Sequence, residues 1–461
     1  MSDERGDPRD ERGGQRGRGP GGRPGARGPG GRGRDGDGPP RGRRPGARHE
    51  RGGRPERGSR GPAYVPGEEP TVRIKGHLTS PHPWIWRTRL EASSIPVNLP
   101  PGTVAQILDG DGEPIGRGLI HPHVTIGARI LSFDPEEQID VPYFVRRFED
   151  ALALRRDVLR LHEVSDAFRL THAESDGVPG LVVDVYSDVV RVEVFARGMA
   201  LLEEPIRQAL GQVFPDKKVV VRSDRRTGEI EGFSIRARAE DPGETEVQEH
   251  GVRFRVDLRE GHKTGFFLDQ RDNRAFVAQL SRGRRVLDMH CYTGGFALHA
   301  AVPGQAAQVT GVDLDEKAIA VALKNAKLNQ VQAKTRFVQA DAFPYLREAI
   351  GRGDAPDMVI LDPPKLAPDA KEKEQAMRTY SDLNRLGIEC VKDGGLLLTC
   401  SCSGVISEED FLTALRNAAA RAGRVLTVFR VSGAADDHPV GLHVPETRYL
   451  KAVFARVKTT A

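Results

Sequence analysis

Five short apolar runs, separated by segments with helical periodicity, dominate the chain between residues 285 and 399. The runs cover residues 285–289, 308–312, 335–339, 358–361 and 395–399. Helices are expected from about Gly295, over 316–329, from about Pro344 and over 380–391. Regular alternation of short apolar strands with helices is typical of a doubly wound parallel sheet. Ligands bind such sheets beyond the carboxyl ends of the strands, so the residues after each strand are the candidates for chemistry.

A glycine-rich loop follows the first strand, and acidic residues follow the second and third. The loop runs from Asp288 to Phe296, and its adjacent glycines, Gly294 and Gly295, let a ligand approach the backbone and open a helix whose N-terminus favours a carboxylate. Asp313 can accept hydrogen bonds from ribose hydroxyls, and Asp341 can reach an adenine amino group. A dinucleotide dehydrogenase would share the loop and the first acid, so these features alone leave the cofactor open.

The motif after the fourth strand, Asp362-Pro363-Pro364-Lys365, is one that a dinucleotide dehydrogenase does not need. Consecutive prolines fix an extended backbone, which at this edge can present carbonyl oxygens and a carboxylate to a flipped-out base. A Pro-Pro pair elsewhere is usually a turn. Here it favours a nucleic-acid methyltransferase that uses S-adenosylmethionine. The predicted cofactor-binding residues are Asp288, Tyr292, Thr293, Gly294, Gly295, Phe296, Asp313, Asp341, Asp362 and Pro363.

Two cysteines, Cys400 and Cys402, close the fifth strand. Carbon 5 of a pyrimidine is a poor nucleophile until a thiolate adds to carbon 6, and cysteine is both a good nucleophile and a good leaving group. Strand cysteines are also common as small core residues. Because Cys402 lies past the strand, we predict that it is the catalytic thiol, whereas Cys400 is more typical of the core. The four cysteines form neither a disulfide framework nor a zinc-binding pattern, and no metal is expected.

The chain before the catalytic half divides by composition. Residues 1–66 are predicted to form a disordered Arg/Gly-rich tail, since residues 1–62 hold 17 Arg against 9 Asp and Glu and almost no apolar side chains. Residues 67–138, with short strands and turns, predict a small β-barrel. Residues 139–248 predict a central α+β domain, with helical periodicity from Tyr143 to about His162 and a helix from Met199 to about Val213. The catalytic domain then covers residues 249–461. Trp84 lies in the barrel, where packing in the core and stacking on a nucleotide are both open.

Several motifs together resemble one family. They are the segment 261–274, Tyr292-Thr-Gly-Gly-Phe296, Leu361-Asp-Pro-Pro-Lys365, Ser401-Cys-Ser-Gly404, Asp437-His-Pro439 with Pro445-Glu-Thr447, and the barrel segment His82-Pro-Trp-Ile85. The chain from about Thr71 onward resembles the bacterial large-subunit ribosomal RNA cytosine-C5 methyltransferases with an N-terminal PUA domain, the RlmI-like type. The resemblance implies a Rossmann-like class I fold, 23S rRNA as substrate, Cys402 as nucleophile and Asp362 as the residue that steadies the cytosine edge.

The chain departs from the usual methyltransferase pattern at two places. His290 and Tyr292 stand where the loop Asp-x-Gly-x-Gly-x-Gly has its first two glycines, and Thr399-Cys400-Ser401 mimics the nucleophile motif of other RNA cytosine methyltransferases. We expect RNA contacts from Lys263, Lys365 and Trp84.

Other interpretations stay open at this point. One is a thiol-independent methyltransferase of a guanine or amino nitrogen, and another is an RNA-binding ribosome-assembly factor. The tail is expected to make nonspecific contacts with RNA phosphates, although a merely solubilising tail has the same composition. No run of about 18 apolar residues occurs, so we expect a cytoplasmic protein without a membrane partner. The oligomeric state is open, and a homodimer is one of the states considered.

Overall fold

The computed structural model describes residues 61–239, 241–258 and 265–460. Residues 1–60 of the predicted tail lie outside this range, as does Lys263, one of the expected RNA contacts. The domain boundaries expected near residues 66, 138 and 248 stay predictions.

The first sheet has five strands in the order β1-β3-β4-β5-β2 and confirms the small β domain predicted from Thr71. Its strands are β1 (Thr71–Arg73), β2 (Trp84–Trp86), β3 (Thr103–Leu108), β4 (Pro114–Ile120) and β5 (Ile126–Ser132). Asp109 makes the turn between β3 and β4, because its Oδ1 accepts hydrogen bonds from the backbone N–H groups of Asp111 and Glu113. Gly116 has a φ of +147°, and a Cβ there would lie 2.1 Å from the carbonyl oxygen of Ser132. Only glycine therefore allows β4 and β5 to approach so closely.

The second sheet has four strands in sequential order, with buried side chains along the whole of its two inner strands. Its strands are β6 (Ala167–His172), β7 (Leu181–Tyr186), β8 (Val189–Val194) and β9 (Lys218–Ser223), and the helices around it are α1 (Val141–Ala153), α2 (Arg197–Leu201), α3 (Glu203–Val213) and α4 (Arg225–Glu231). Helix α1 and the helices α2 and α3 differ from what the periodicity of the sequence predicts.

The helix expected from Tyr143 to His162 is shorter. It ends at Ala153 and continues as a wide π-type turn, which places the side chain of Arg155 in the protein interior against Asp176. The helix expected from Met199 to Val213 is two helices separated at Leu202. Pro205 has no N–H to donate to the preceding turn, which accounts for the break.

A hairpin of β10 (Glu244–Glu249) and β11 (Val252–Asp257) leads into a sheet of seven strands in the order β14-β13-β12-β15-β16-β18-β17. Its strands are β12 (Arg285–Met289), β13 (Gln308–Asp313), β14 (Thr335–Gln339), β15 (Met358–Leu361), β16 (Leu396–Ser401), β17 (Arg424–Ser432) and β18 (Lys451–Thr459). Neighbours among β12 to β16 pair in parallel, and β18 is antiparallel to both β16 and β17. The predicted doubly wound sheet is confirmed, with an antiparallel pair added at one edge.

Helices cover both faces of this sheet, and its apolar side chains form buried clusters on the two sides. The helices are α5 (Arg271–Ser281), α6 (Gly295–Ala301), α7 (Glu316–Leu328), α8 (Ala342–Gly351), α9 (Lys373–Cys390) and α10 (Glu408–Arg421). Helix α9 begins seven residues before the predicted start at Tyr380. Five of its first seven residues, Lys373–Thr379, are polar, so this segment carries no apolar stripe that would indicate a helix.

Candidate active site

A cavity of about 860 Å³ lies at the carboxyl ends of the parallel strands, where this fold is expected to bind ligands. Ten of the residues predicted to form the site line it: Tyr292, Thr293, Gly295, Phe296, Asp313, Asp341, Asp362, Pro363, Lys365 and Cys402. Asp288, Gly294 and Trp84 are not among its lining residues. The parallel topology therefore brings together residues that are up to 110 positions apart in the sequence, from Tyr292 to Cys402.

Asp288, at the end of β12, stabilises the loop that follows this strand. This carboxyl is fully buried, and its Oδ2 accepts a hydrogen bond of 2.9 Å from the backbone N–H of Ala297 in α6. Burial raises the pKa of Asp288 well above its ordinary value, and the nearby carboxylates of Asp362 and Asp313 add to the rise. Asp288 thus fastens the loop to the helix, and any contact with a cofactor remains a prediction.

The two departures from the glycine pattern keep the backbone conformation that glycine usually supplies. His290 has a φ of 60° and Tyr292 a φ of 49°, both in the left-handed region, and Gly294 follows with 91°. A non-glycine residue pays a steric cost in this region, so the loop is strained at two positions beside the cavity. At Gly295 a Cβ would lie only 3.2 Å from Cδ of Arg274, which packs against the loop.

The carboxylates after β13 and β14 are oriented by backbone amides. Asp313 accepts hydrogen bonds from the N–H of Tyr292 at 2.8 Å and from that of Asp315 at 3.0 Å. Asp341 caps α8 by accepting a hydrogen bond of 2.8 Å from the N–H of Phe343. Acceptors at these positions suit the ribose hydroxyls and adenine amino group of S-adenosylmethionine, and the cavity's apolar surface suits its adenine ring. The residues present therefore fit this cofactor.

Asp362 is held by a chain of side-chain amides that we did not identify from the sequence. The Nε2 of Gln270 donates to Oδ1 of Asp362 at 3.0 Å, and the Nδ2 of Asn273 donates to Oε1 of Gln270 at 2.7 Å. Ser432 in turn donates its hydroxyl to Oδ1 of Asn273 at 2.7 Å. Gln270 and Asn273 belong to the segment 261–274, whose resemblance to the family was the available signal. The chain orients the carboxylate that follows β15.

The cysteines in and just after β16 differ in their environment. Cys400 lies inside the strand and is fully buried, and burial raises the pKa of its thiol well above the ordinary value. Cys402 follows the strand, is half-buried and lines the cavity. Cys291 also lines the cavity, but burial raises its thiol pKa well above the ordinary value. This geometry favours Cys402 as the nucleophile.

Residues from the end of the chain complete the cavity and were also missed. The hydroxyl of Tyr449 donates to Oδ2 of Asp269 at 2.6 Å, and both residues line the cavity next to Cys402. Burial raises the pKa of Tyr449 well above its ordinary value, and the negative charge of Asp269 adds to this effect. The tyrosine is therefore a neutral hydrogen-bond donor.

Trp84 lies in the first sheet, and its indole is already engaged. Its Nε1 donates to Oε1 of Glu174 at 2.9 Å, and its ring makes edge-to-face contacts with His82 and Trp86. Trp86 is the more exposed tryptophan, at 44%. The Nε2 of His82 lies 3.3 Å from Oε2 of Glu446, which ties this aromatic group to the segment that precedes Tyr449. The ring of Trp86 is therefore more accessible for stacking than that of Trp84.

Two kinds of feature were also sought in the part of the chain that the structure describes: a metal site and a membrane-spanning helix. Within residues 61–239, 241–258 and 265–460, no three His, Cys, Asp or Glu side chains are grouped so that they could hold a metal ion. Among the helices of those same residues, none has both the length and the apolar character needed to cross a membrane.

Known proteins resemble this chain over most of its length. The S-adenosylmethionine-dependent methyltransferase family matches residues 232–447, and the PUA-like domain family matches residues 75–133. Ribosomal RNA large subunit methyltransferase I of Aeromonas hydrophila is 38% identical over 394 residues, which cover 84% of this chain and 98% of that protein. The protein of the same name from Escherichia coli (strain UTI89 / UPEC) is 35% identical over 381 residues, or 82% and 95% of the two chains.

A solved structure, that of SMU.776 complexed with SAH, covers 84% of this chain and 100% of its own with a TM-score of 0.71 at 22% identity. At this identity the likeness concerns the fold. Together these comparisons confirm the predicted Rossmann-like methyltransferase fold with a PUA-like domain.

Proposed function

Because the chain belongs to the ribosomal RNA large subunit methyltransferase I family, we propose that it methylates carbon 5 of a cytosine in 23S ribosomal RNA through a covalent bond to Cys402. Its cofactor is S-adenosylmethionine. The names of its relatives support ribosomal RNA as the substrate, and the geometry of the cavity supports carbon 5 of a cytosine as the atom that is methylated.

The observation that carries the cytosine assignment is the meeting of Cys402 with the Asp362-Pro363 motif in one cavity. A methyltransferase that acts on an amino group or a ring nitrogen needs the carboxylate and the prolines but no thiol. A thiol that follows the neighbouring strand, half-buried and facing the same cavity, is what addition to carbon 6 requires.

The reaction proceeds in three changes at the base. The thiolate of Cys402 adds to carbon 6 of the cytosine, and the electrons of the 5,6 double bond make carbon 5 nucleophilic. Bound S-adenosylmethionine would supply an electrophilic methyl group to carbon 5, with S-adenosylhomocysteine as the leaving product. A base then takes the proton from carbon 5, and the electrons of that C–H bond restore the 5,6 double bond and expel the thiolate. Asp362, oriented by Gln270, holds the polar edge of the cytosine throughout.

The RNA contacts are proposed on the exposed side of the cavity. Lys365 is exposed at the rim and can meet a phosphate. Its charge gives affinity without reading sequence, so the choice of nucleotide depends on the cavity and the PUA-like domain. Contacts by Lys263, by Trp84 and by the tail, and assembly into a homodimer, stay predictions.

Methylation of a 23S rRNA transcript, followed by nucleoside mass spectrometry, tests the proposal. Wild-type protein should form 5-methylcytidine, and Cys402→Ser should form none because serine is not ionised near neutral pH. Cys400→Ser is the matched control, since it changes a thiol two residues away that does not line the cavity, and it should retain the product. A methylated guanine, or product from Cys402→Ser, would contradict the proposal.

A further inference from the structure

Lys451 is a buried lysine next to the turn that carries Cys402. It begins β18 and pairs with Ser401, the last residue of β16, so its side chain begins beside the turn at residues 401–403. It is only 5% exposed. Its Nζ donates to the carbonyl oxygen of Ser403 at 2.7 Å and to that of Tyr449 at 2.8 Å. Burying an ammonium group costs free energy, so a buried lysine at this position indicates a specific role.

The turn is fixed on both sides of the cysteine. The hydroxyl of Ser403 accepts a hydrogen bond of 3.1 Å from the N–H of Ala367 and lies 3.3 Å from the hydroxyl of Tyr380, while its carbonyl is bound by Lys451. Ser401 is held in the ladder between β16 and β18. Cys402 is the residue between these two anchors, and Lys451 contributes to both of them.

The charges around Cys402 come from several elements. Cys402 interacts electrostatically with Tyr380 on α9, with Tyr449 and with Lys451. Asp362 after β15 acts on Tyr380, Asp269 before α5 acts on Tyr449, and Glu408 and Asp410 on α10 and Arg448 act on Lys451. The carboxylates oppose a thiolate, and both tyrosines are neutral because burial raises their pKa. Of the cations in this region, Arg169 forms an ion pair with Asp184, Arg274 forms one with Glu249, and Lys365 is exposed at the rim of the cavity. Arg448 is largely exposed and forms an ion pair of 2.8 Å with Glu408, whereas the two hydrogen-bond partners of Lys451 are neutral carbonyls.

We propose that Lys451 is a positioning residue that supplies the positive charge for the thiolate of Cys402 and holds the turn that presents it to the cavity. The proposal rests on the proposed function in one respect, that Cys402 is the nucleophile. Lysine keeps its proton in this role, and the proton of the thiol passes to water. Burial lowers the pKa of Lys451 to about 8, and the charge of Cys402 is the strongest influence in the opposite direction. The lysine is thus charged at neutral pH and loses this effect above about pH 8.

Alkylation of Cys402 by iodoacetamide at increasing pH tests the proposal without RNA or cofactor. The full-length protein is treated, and modification of each cysteine is read by peptide mass spectrometry. In the wild type the rate at Cys402 should rise with a midpoint below the value of about 8.5 for a free cysteine. Lys451→Met should move the midpoint up by at least about one unit, which is a tenfold loss of thiolate at pH 7. Lys451→Arg should keep it within half a unit.

Lys458→Met, a change of an exposed lysine on the same strand, is the matched control and should leave the profile unchanged. A wild-type midpoint at or above about 8.5 overturns the proposal whatever the variants do. An unchanged midpoint in folded Lys451→Met also overturns it, and slow alkylation of the buried Cys390 and Cys400 shows that the variant is folded. Failure of the proposed function is distinguishable, because it would leave this profile intact while 5-methylcytidine is absent.

Discussion

Replacing Asp437 with asparagine should loosen the contact between the second sheet and the catalytic sheet. Asp437 is fully buried, and its Oδ2 accepts hydrogen bonds from the backbone N–H of Arg169 in β6 at 2.8 Å and from Nη1 of Arg271 at 2.9 Å. Its Oδ1 lies 2.7 Å from Nη2 of Arg271 and 2.8 Å from Nδ1 of His438. One carboxylate therefore joins β6, α5 and the segment that follows β17.

The expected loss can be estimated from these contacts. Removing one partner of a buried ion pair costs about 3–5 kcal/mol, because the remaining charge is left uncompensated. An asparagine has one acceptor oxygen, so its amide group must face at least one of the donors. Since about 1.4 kcal/mol is tenfold in an equilibrium, local opening at Arg169 should become roughly 10²–10⁴ times more frequent.

Hydrogen exchange of a peptide that covers β6, followed by mass spectrometry, measures this opening. Asp436→Asn is the matched control, because it removes the neighbouring exposed carboxylate, whose negative charge lies near that of Asp272. Exchange should accelerate in Asp437→Asn and remain as in the wild type in Asp436→Asn. Exchange of β6 within about threefold of the wild type in Asp437→Asn would refute the reasoning, since that corresponds to less than about 1 kcal/mol.

The pH dependence of this difference has a definite sign. Burial by itself would raise the pKa of Asp437, but the charges of Arg271 and His438 overcome burial and hold the pKa well below its ordinary value of 3.8. A depressed pKa means that the contribution to stability is complete above pH 3.8 and is lost as the pH falls through the folded-state pKa. Wild type and Asp437→Asn should therefore differ fully at neutral pH and converge only below about pH 3.8.

Substitutions at three further positions test other parts of the account. Gln270→Leu removes the hydrogen-bond donor to Asp362, and such a bond to a charged group contributes about 1.5–3 kcal/mol. The value of kcat/KM in a methyl-transfer assay should therefore fall about 10- to 100-fold, and an unchanged value would show that Gln270 does not act in the site. Trp86→Ala should weaken binding of an RNA fragment by about 1–3 kcal/mol in fluorescence anisotropy, because the exposed ring offers a base a surface for stacking. An unchanged Kd would exclude stacking on Trp86. His290→Gly should exceed His290→Ala in free energy of unfolding by about 1 kcal/mol in urea denaturation, because φ is +60°, and equal midpoints would contradict the strain.

The parallel sheet could be predicted because its central strands β12, β15 and β16 are almost entirely buried and therefore apolar. Strands β12, β14 and β15 begin and end at the predicted residues, and the residues that follow the strands form the cavity as expected. Helix ends were less predictable where polar turns or a proline intervened, as at the start of α9 and at Leu202. The periodicity of apolar residues does not show where a helix begins in a polar segment or breaks near a proline.

The missed site residues have a different physical cause. Gln270 contacts Asp362 across 92 positions, and Lys451 contacts Ser403 across 48. Neither residue follows a parallel strand, so the rule that located Asp313, Asp341 and Asp362 does not apply to them. Gln270 precedes a helix that packs on the sheet, and Lys451 belongs to the antiparallel strand at its edge. Contacts of this kind depend on tertiary packing and become visible only in the folded chain.

Covalent trapping tests the central claim most directly. A 23S rRNA transcript made with 5-fluorocytidine has no proton on carbon 5, so the adduct between cysteine and carbon 6 cannot be resolved after methyl transfer. With S-adenosylmethionine present, mass spectrometry should find RNA bound to the peptide of Cys402 in the wild type and in Cys400→Ser. It should find none in Cys402→Ser. A bond to Cys400, or methylation of the normal transcript without any adduct on the fluorinated one, would contradict the account.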